Sequence, residues 1–142
     1  ATLLGIARRV VIAMDFSMAG IRAAHLVRRL SAVDASVYLV HVVPKDSAHE
    51  LEERRRRLQG IGRSLCEGSD VHVEPILLLG DAARETLGFA HGIGADIITC
   101  GTSRLPFLPS TYPYPPLLGR VTRDLIGQAS CSMLIAPHVS DV

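Results

Sequence analysis

The residues best suited to binding a ligand lie in the stretch from Ile97 to Ile126. A short apolar run ends at Gly101, a helical pattern resumes at Val121, and five prolines fall between them. In an open parallel α/β sheet, ligands bind beyond the carboxyl ends of the strands, and the N–H groups at the start of a helix attract anions. Gly119, just before that helix, lets the backbone approach a ligand closely because it has no Cβ. The spacing predicts an anion-binding crossover between a strand and a helix.

Motifs for other kinds of chemistry are absent from the sequence. There is no G-x-S-x-G nucleophile motif, no Walker-type loop with its lysine and no pair of carboxylates in an evident pocket, so we expect no enzymatic activity. The six histidines lack H-x-H and H-E-x-x-H spacing and the three cysteines lack C-x-x-C spacing, so we expect no metal site. Cys100 and Cys131 fall at opposite ends of the predicted sheet, which predicts reduced thiols.

Several polar residues have structural explanations. His41 lies between apolar residues of a strand and is predicted to be a hydrogen-bonded core histidine. The four arginines from Arg54 to Arg57 have acidic neighbours in the same helix, which is typical of a solvated helix face. Asp15 follows a strand and precedes a helix, where either it or Ser17 could cap the helix. Asp15 could equally bind a ribose or a base.

Length and composition indicate one α/β domain. The 142 residues are 48% apolar but only 4% aromatic and contain no tryptophan, so the core must consist of Val, Ile, Leu and Ala. Such a core suits parallel strands that are covered by helices. The net charge of +1 produces no strong field toward nucleic acid or a membrane, and no stretch reaches the roughly 20 apolar residues that span a bilayer. We therefore expect a cytoplasmic protein with no nucleic-acid or membrane partner.

Five apolar runs alternate with helical patterns along the chain. The predicted strands are residues 10–14, 37–43, 71–79, 97–100 and 132–136, and Pro75 marks the third as an edge strand. The second helix is predicted over residues 47–66 and the last one from Gly119 or Arg120 to Gln128. This order predicts an open five-stranded parallel sheet with right-handed crossovers and helices on both faces. In the first helix one face is expected to carry Ala19, Ala23, Leu26 and Leu30.

Five segments together resemble the universal stress protein family over essentially the whole length of the chain. They are VVIAMDFS at residues 10–17, VYLVHVV at 37–43, LLLGDAARETL at 77–87, GADIITCGTS at 94–103 and LLGRVTRDLIGQASCSMLIA at 117–136. The resemblance implies a strand order of 3-2-1-4-5. It also implies a single domain over residues 1–142, with a Pro-rich insertion at residues 105–116.

The resemblance also implies a nucleotide site with an altered glycine motif. Members that bind ATP or AMP carry Gly-x2-Gly-x9-Gly-Ser/Thr after the fourth strand, and here Arg104 replaces the second glycine and Arg120 replaces the Ser or Thr. The resemblance places Asp15 and the backbone of Val42 beside the adenosine. The site residues implied by the resemblance or predicted from the crossover are Asp15, Val42, Gly101, Thr102, Gly119, Arg120, Val121 and Thr122. The ligand stays open between none and ATP or AMP, and slow hydrolysis of ATP stays open with it.

Two hypotheses of function follow, together with a weaker third. The first is a non-catalytic regulatory or stress-response homodimer with a rebuilt or vestigial nucleotide pocket. Its dimer contact, as the resemblance implies, lies on Ser132, Met133, Leu134, Ile135 and Ala136. The alternative is an AMP- or ATP-binding switch that holds phosphate with Arg120 and the helix that follows Gly119. The third is a protein-interaction module formed by the loop from Leu105 to Leu118, where aromatic residues lie between prolines.

Overall fold

The computed structural model describes residues 7–101, 120–129 and 131–136, which form a five-stranded sheet with helices around it. The elements are β1 (Arg9–Ala13), α1 (Met18–Leu30), β2 (Ser36–Val43), a 3-10 helix (Lys45–Glu50), α2 (Leu51–Cys66), β3 (His72–Leu79), α3 (Ala82–Ile93), β4 (Ile97–Gly101), α4 (Arg120–Gln128) and β5 (Ser132–Ala136). All strand pairs are parallel, in the order β3-β2-β1-β4-β5. The predicted fold class and strand order are confirmed. The Pro-rich residues 105–116 and the proposed interaction loop 105–118 lie outside the described residues.

The core has two layers because side chains of the central strands alternate between the two faces of the sheet. On one face, Val10 and Ile12 of β1 pack with α1 and α2. On the other, Val11 of β1 and Ile98 of β4 pack with α3, and Cys100 packs with Leu125 of α4. Burial on both faces explains why the central strands are continuous apolar runs rather than alternating patterns.

The helix ends follow the capping residues that the sequence offers. Ser17 begins α1 and accepts a hydrogen bond from the backbone N–H of Gly20, and Asp81 begins α3 and accepts one from the N–H of Arg84. Gly94 ends α3 in the left-handed conformation, with φ of 66°, as glycine readily does. The helix predicted over residues 47–66 is α-helical only from Leu51, because its first turns form the 3-10 helix.

The buried face of α1 differs from the predicted one. Ala19 and Ala23 are buried as expected, but Leu26 and Leu30 are exposed, and Gly20, Ala24 and Val27 are buried instead. The helix lies so close to β4 that a Cβ on Gly101 would meet the carbonyl oxygen of Ala19 at 3.0 Å. Small residues therefore form the contact, and Leu26 and Leu30 turn outward.

The two edges of the sheet differ. At one edge, β3 contains Pro75, and Gly62 of α2 lies so near that a Cβ there would approach the proline ring to 3.1 Å. At the other edge, Ser132 of β5 is exposed and the three residues that follow it are half-buried. The prediction that Pro75 lies in an edge strand is confirmed.

Asp96, the residue before β4, connects that strand to the start of β1. One carboxylate oxygen of Asp96 accepts hydrogen bonds from the N–H groups of Arg8 and Arg9, at 2.8 and 2.9 Å. These two bonds lower the pKa of Asp96. The contact sets the register of β1 and β4, two of the three strands whose carboxyl ends form the candidate site.

No helix among the described residues is long and apolar enough to cross a bilayer. The three cysteines, all within the described residues, form no disulfide with one another. Burial raises the pKa of Cys131, which keeps its thiol protonated.

Candidate functional site

A cavity of about 130 Å³ lies at the carboxyl ends of β1, β2 and β4. This is the point where the sheet order reverses, because β1 has β2 on one side and β4 on the other. The lining comes from the three strands, the residues that follow β1, and the helices α3 and α4: Ala13, Met14, Asp15, Val40, His41, Val42, Ala82, Thr86, Cys100, Gly101, Val121 and Leu125. A cavity of this size suits one ring-sized group, since an engineered cavity of roughly 150 Å³ holds benzene.

Asp15 lies at the mouth of this cavity and supports the start of α1. One of its carboxylate oxygens accepts hydrogen bonds from the backbone N–H of Ser17 at 2.9 Å and from the Ser17 hydroxyl at 2.6 Å. The Ser17 hydroxyl in turn accepts the N–H of Gly20 at 3.0 Å. Ser17 is therefore the cap of α1, and Asp15 orients that cap while its carboxylate lines the cavity.

Phe16, between these two residues, has a left-handed backbone with φ of 66°. A side chain with a Cβ adopts this conformation at a cost of roughly 1–2 kcal/mol, so other contacts must hold it. The Phe16 ring lies 4.2 Å from the His41 ring, centroid to centroid, and the Arg57 guanidinium lies 4.4 Å from the centroid of the Phe16 ring. The strained residue is thus packed between a buried histidine of β2 and an arginine of α2.

His41 links the cavity to α2, because its two ring nitrogens have different partners. Nδ1 lies 2.7 Å from the carbonyl oxygen of Met14, and Nε2 lies 3.1 Å from Nη1 of Arg54. A carbonyl oxygen only accepts and a guanidinium only donates, so the proton is assigned to Nδ1 and the ring is neutral. Burial is the largest of the influences that lower the pKa of His41. The prediction of a hydrogen-bonded core histidine is confirmed.

The interpretation of Arg54–Arg57 as a solvated helix face is wrong for Arg54, whereas Arg55, Arg56 and Arg57 are exposed as expected. Arg54 is half-buried and bonds His41 and Glu50, and its hydrogen bond to Glu50 at 3.0 Å lowers the pKa of that carboxylate. Arg57 covers the Phe16 ring. These two side chains make contacts with distant parts of the chain, which the local charge pattern could not reveal.

A second group of polar residues surrounds these arginines. A shallow depression is lined by Asp15, Phe16, Ser17, Glu50, Glu53, Arg54 and Arg57. Asp15 lines both this depression and the cavity. Asp15 is thus next to both the cavity and the residues of α2 that line the depression.

The eight predicted site residues divide into three groups. The structure brings Asp15, Val42, Gly101 and Val121 together around one cavity. Arg120 and Thr122 belong to the first turn of α4, and their side chains are not described. Thr102 and Gly119 lie outside the described residues. The glycine at Gly101 also has a packing role, because a Cβ there would meet the backbone of α1.

Sequence reasoning missed the contribution of α3 to the cavity. Ala82 and Thr86, one turn apart, both face the cavity, and Thr86 is almost fully buried. The available signal was the Asp81 cap after β3, which fixes where the helix begins and therefore which residues of its first two turns point toward the sheet.

The described residues contain no group of three or more His, Cys, Asp or Glu side chains that could hold a metal ion. The chemistry available at this site consists of a small apolar cavity, one carboxylate at its mouth and a helix that begins beside it. This arrangement can bind a flat ring and accept hydrogen bonds from hydroxyl groups.

Comparison with known proteins gives a family and a set of similar structures. A sequence model described as "Universal stress protein family" matches residues 7–137. A search of curated protein sequences found no match. The structure of the hypothetical protein MJ0577, which was used for a structure-based assignment of biochemical function, is similar to that of this chain, with a TM-score of 0.78 and 22% sequence identity. The match covers 94% of this chain and 98% of that one.

Two further structures contain bound nucleotides. A universal stress protein in complex with cAMP has a TM-score of 0.70 and 17% identity, covering 91% of this chain and 95% of that one. A universal stress protein from Archaeoglobus fulgidus in complex with dAMP has a TM-score of 0.66 and 21% identity, covering 89% and 94%. At these identities the likeness shows a shared fold.

Proposed function

The chain belongs to the universal stress protein family, and from this premise we propose that it is a non-catalytic regulatory domain that binds an adenine nucleotide at the β1–β4 cavity. The observation that carries the proposal is the convergence of Asp15, Val42, Gly101 and Val121 on one cavity at the switch point of the sheet. The nucleotides in the related cAMP and dAMP complexes support the choice of an adenine ligand.

The described lining fits the base and the ribose. Ala13, Val40, Val42 and Leu125 provide apolar surface for an adenine ring, and the Asp15 carboxylate can accept hydrogen bonds from ribose hydroxyls. The phosphate groups of the nucleotide would lie at the start of α4, where the helix dipole and Arg120 favour an anion. In this proposal, Arg120 takes over contacts that the altered glycine motif has lost.

The test begins with nucleotide extracted by acid from freshly purified protein and identified by mass spectrometry. The emptied protein is then titrated with AMP and ATP by calorimetry. Ala82→Leu fills the cavity and should abolish binding, whereas Ala95→Leu, beside a separate cavity at the other end of the sheet, should leave it unchanged. Arg120→Gln should weaken ATP more than adenosine.

An empty extract and a flat titration would overturn nucleotide binding. Equal loss of affinity in the Ala82 and Ala95 variants would show that general destabilisation, and not filling of the cavity, causes the loss.

We further propose that the domain is a homodimer that pairs through β5. This strand is a sheet edge, its residues Met133, Leu134 and Ile135 are half-buried, and an unpaired edge readily pairs with another copy. Leu134→Lys should give monomers in light scattering. The control Glu74→Lys, on the opposite edge strand, should leave the dimer intact. A dimer that persists in Leu134→Lys would refute this interface.

A further inference from the structure

Among the described residues that line the β1–β4 cavity, Thr86 of α3 is the one with a hydroxyl group. The residue is only 3% exposed, and it lies one helical turn after Ala82, which also lines the cavity. Asp81 fixes the start of this helix, because its side chain accepts a hydrogen bond from the backbone N–H of Arg84. The cap of α3 therefore holds Thr86 against the carboxyl ends of the strands.

The Thr86 hydroxyl has no hydrogen-bond partner within the described part of the chain. Two side-chain atoms of that part are both enclosed and without a partner, Nε of Arg28 and Oγ1 of Thr99. The oxygen of Thr86 is not one of them, so it keeps some accessible surface. Because the residue is otherwise buried and lines the cavity, this surface lies in the cavity. Thr86 thus presents an unused donor and acceptor to whatever occupies that space.

The other polar side chains of the lining are less available to a ligand inside the cavity. Both ring nitrogens of His41 are occupied, one by a backbone carbonyl and the other by Arg54. Asp15 lies at the mouth, where it already orients the cap of α1. Cys100 contributes a thiol, which forms weak hydrogen bonds. The hydroxyl of Thr86 is therefore the strongest hydrogen-bonding side-chain group in the interior of the cavity.

We propose that Thr86 selects the base of the bound nucleotide through a hydrogen bond between its hydroxyl and a polar atom on the edge of the ring. The inference rests on the proposed nucleotide site and deepens it by naming a residue that determines specificity. A ring that displaces water from the cavity must give this hydroxyl a partner, because a buried hydroxyl without one is unfavourable. A ring nitrogen or an exocyclic amino group meets that need, whereas a carbon–hydrogen edge does not.

The test compares AMP with four analogues that each lack one polar group of the adenine edge: the 6-desamino, 1-deaza, 3-deaza and 7-deaza forms. Each nucleotide is titrated by calorimetry into the emptied protein and into Thr86→Val, which keeps the shape of the side chain and removes the hydroxyl. We expect Thr86→Val to bind AMP about fivefold more weakly, as the loss of one neutral hydrogen bond predicts. The analogue that lacks the contacted atom should bind both proteins with equal affinity.

Two further variants serve as matched controls. Thr86→Ser keeps the hydroxyl and should bind AMP more tightly than Thr86→Val does. Thr99→Val removes a buried hydroxyl that also has no partner but does not line the cavity, so its affinity for AMP should equal that of the unaltered protein. Thermal unfolding of each variant confirms that it is folded.

The outcomes separate this inference from the proposed function. Unchanged affinity for AMP in Thr86→Val overturns the role of Thr86 and leaves the nucleotide site standing. Equal losses for AMP and all four analogues also overturn it, since the hydroxyl then contacts none of the four groups. A loss in Thr99→Val as large as that in Thr86→Val does the same, because the effect is then not specific to the cavity. Absence of AMP binding to the unaltered protein overturns the nucleotide site and this inference together.

Discussion

The Nδ1 atom of His41 donates a hydrogen bond to the carbonyl oxygen of Met14 at 2.7 Å. This bond crosses from β2 to the residue that follows β1, directly beneath the cavity. Arg54 donates a hydrogen bond to the other ring nitrogen, Nε2. A second proton on the imidazole would be carried by Nε2, where it would face this donor and not an acceptor. Protonation of His41 must therefore break a contact that supports the site.

The free energy of unfolding should fall as the pH decreases from about 7 to about 5. Burial lowers the pKa of folded His41, so the unfolded chain, with a histidine pKa of about 6.5, binds the extra proton. The loss begins as the pH passes below about 6.5 and ends at the lower, folded pKa, with a slope of at most about 1.4 kcal/mol per pH unit. Arg54 and Arg57 oppose protonation, and Asp15 favours it.

Urea denaturation at several pH values measures this slope, and His41→Gln provides the comparison. The variant should be less stable at pH 7 but should show a flatter dependence between pH 5 and pH 7. The other described histidines are at least partly exposed and remain in both proteins. Identical slopes in the two proteins would show that His41 does not cause the pH dependence.

At position 16, glycine should be better tolerated than alanine. The backbone has φ of 66°, which glycine adopts freely, while alanine retains the Cβ cost of roughly 1 kcal/mol. Both variants lose the ring contacts to His41 and Arg57, so the difference between them isolates the backbone. Urea denaturation should show Phe16→Gly to be the more stable. The reverse order would mean that position 16 relaxes out of the left-handed region once the ring is removed.

Alanine at position 101 should destabilise the fold. Its Cβ would lie 3.0 to 3.1 Å from backbone atoms of Ala19 and Gly20, and backbone cannot turn aside as a side chain can. We expect a loss of roughly 1–3 kcal/mol in the free energy of unfolding. Gly88→Ala, in open space within α3, should instead gain up to about 1 kcal/mol from helix propensity. Similar stability for the two variants would mean that α1 shifts without cost.

Valine at position 99 should stabilise the protein. Thr99 is 1% exposed, and its hydroxyl oxygen has no hydrogen-bond partner among the described residues. Valine has the same shape without the buried hydroxyl, so Thr99→Val should raise the free energy of unfolding by about 1 kcal/mol. Thr99→Ala, which leaves a small cavity, should lower it. A loss of stability in Thr99→Val would show that the hydroxyl has an acceptor.

The sequence predicted the fold well because the strong signals were local. The central strands, such as residues 37–43, are continuous apolar runs, and Pro75, Asp81 and Gly94 mark a strand edge and helix ends through their backbone chemistry. The position of the cavity followed from the parallel topology, since strands that run the same way end at the same edge.

The residues that the sequence misassigned are those whose environment depends on distant partners. The sequence pattern predicted Leu26 and Leu30 on the buried face of α1. They are exposed, because α1 approaches Gly101 so closely that only alanine and glycine can form the contact. Arg54 was assigned to the solvated face because its acidic neighbours in sequence were visible and its partner His41 was not. The contact of the exposed Arg57 with Phe16 was equally hidden. No pattern within one helix carries such information.

Pro75 also limits how the sheet can grow. It lies in the middle of the eight-residue edge strand β3 and has no N–H to donate, so an incoming strand would meet an interrupted ladder at that edge. The β5 edge contains no proline. A further strand can then pair with the sheet only at the β5 edge, so each domain has a single edge for association with another copy. Edge-to-edge association of this domain would stop at a pair of molecules and would not extend into a filament.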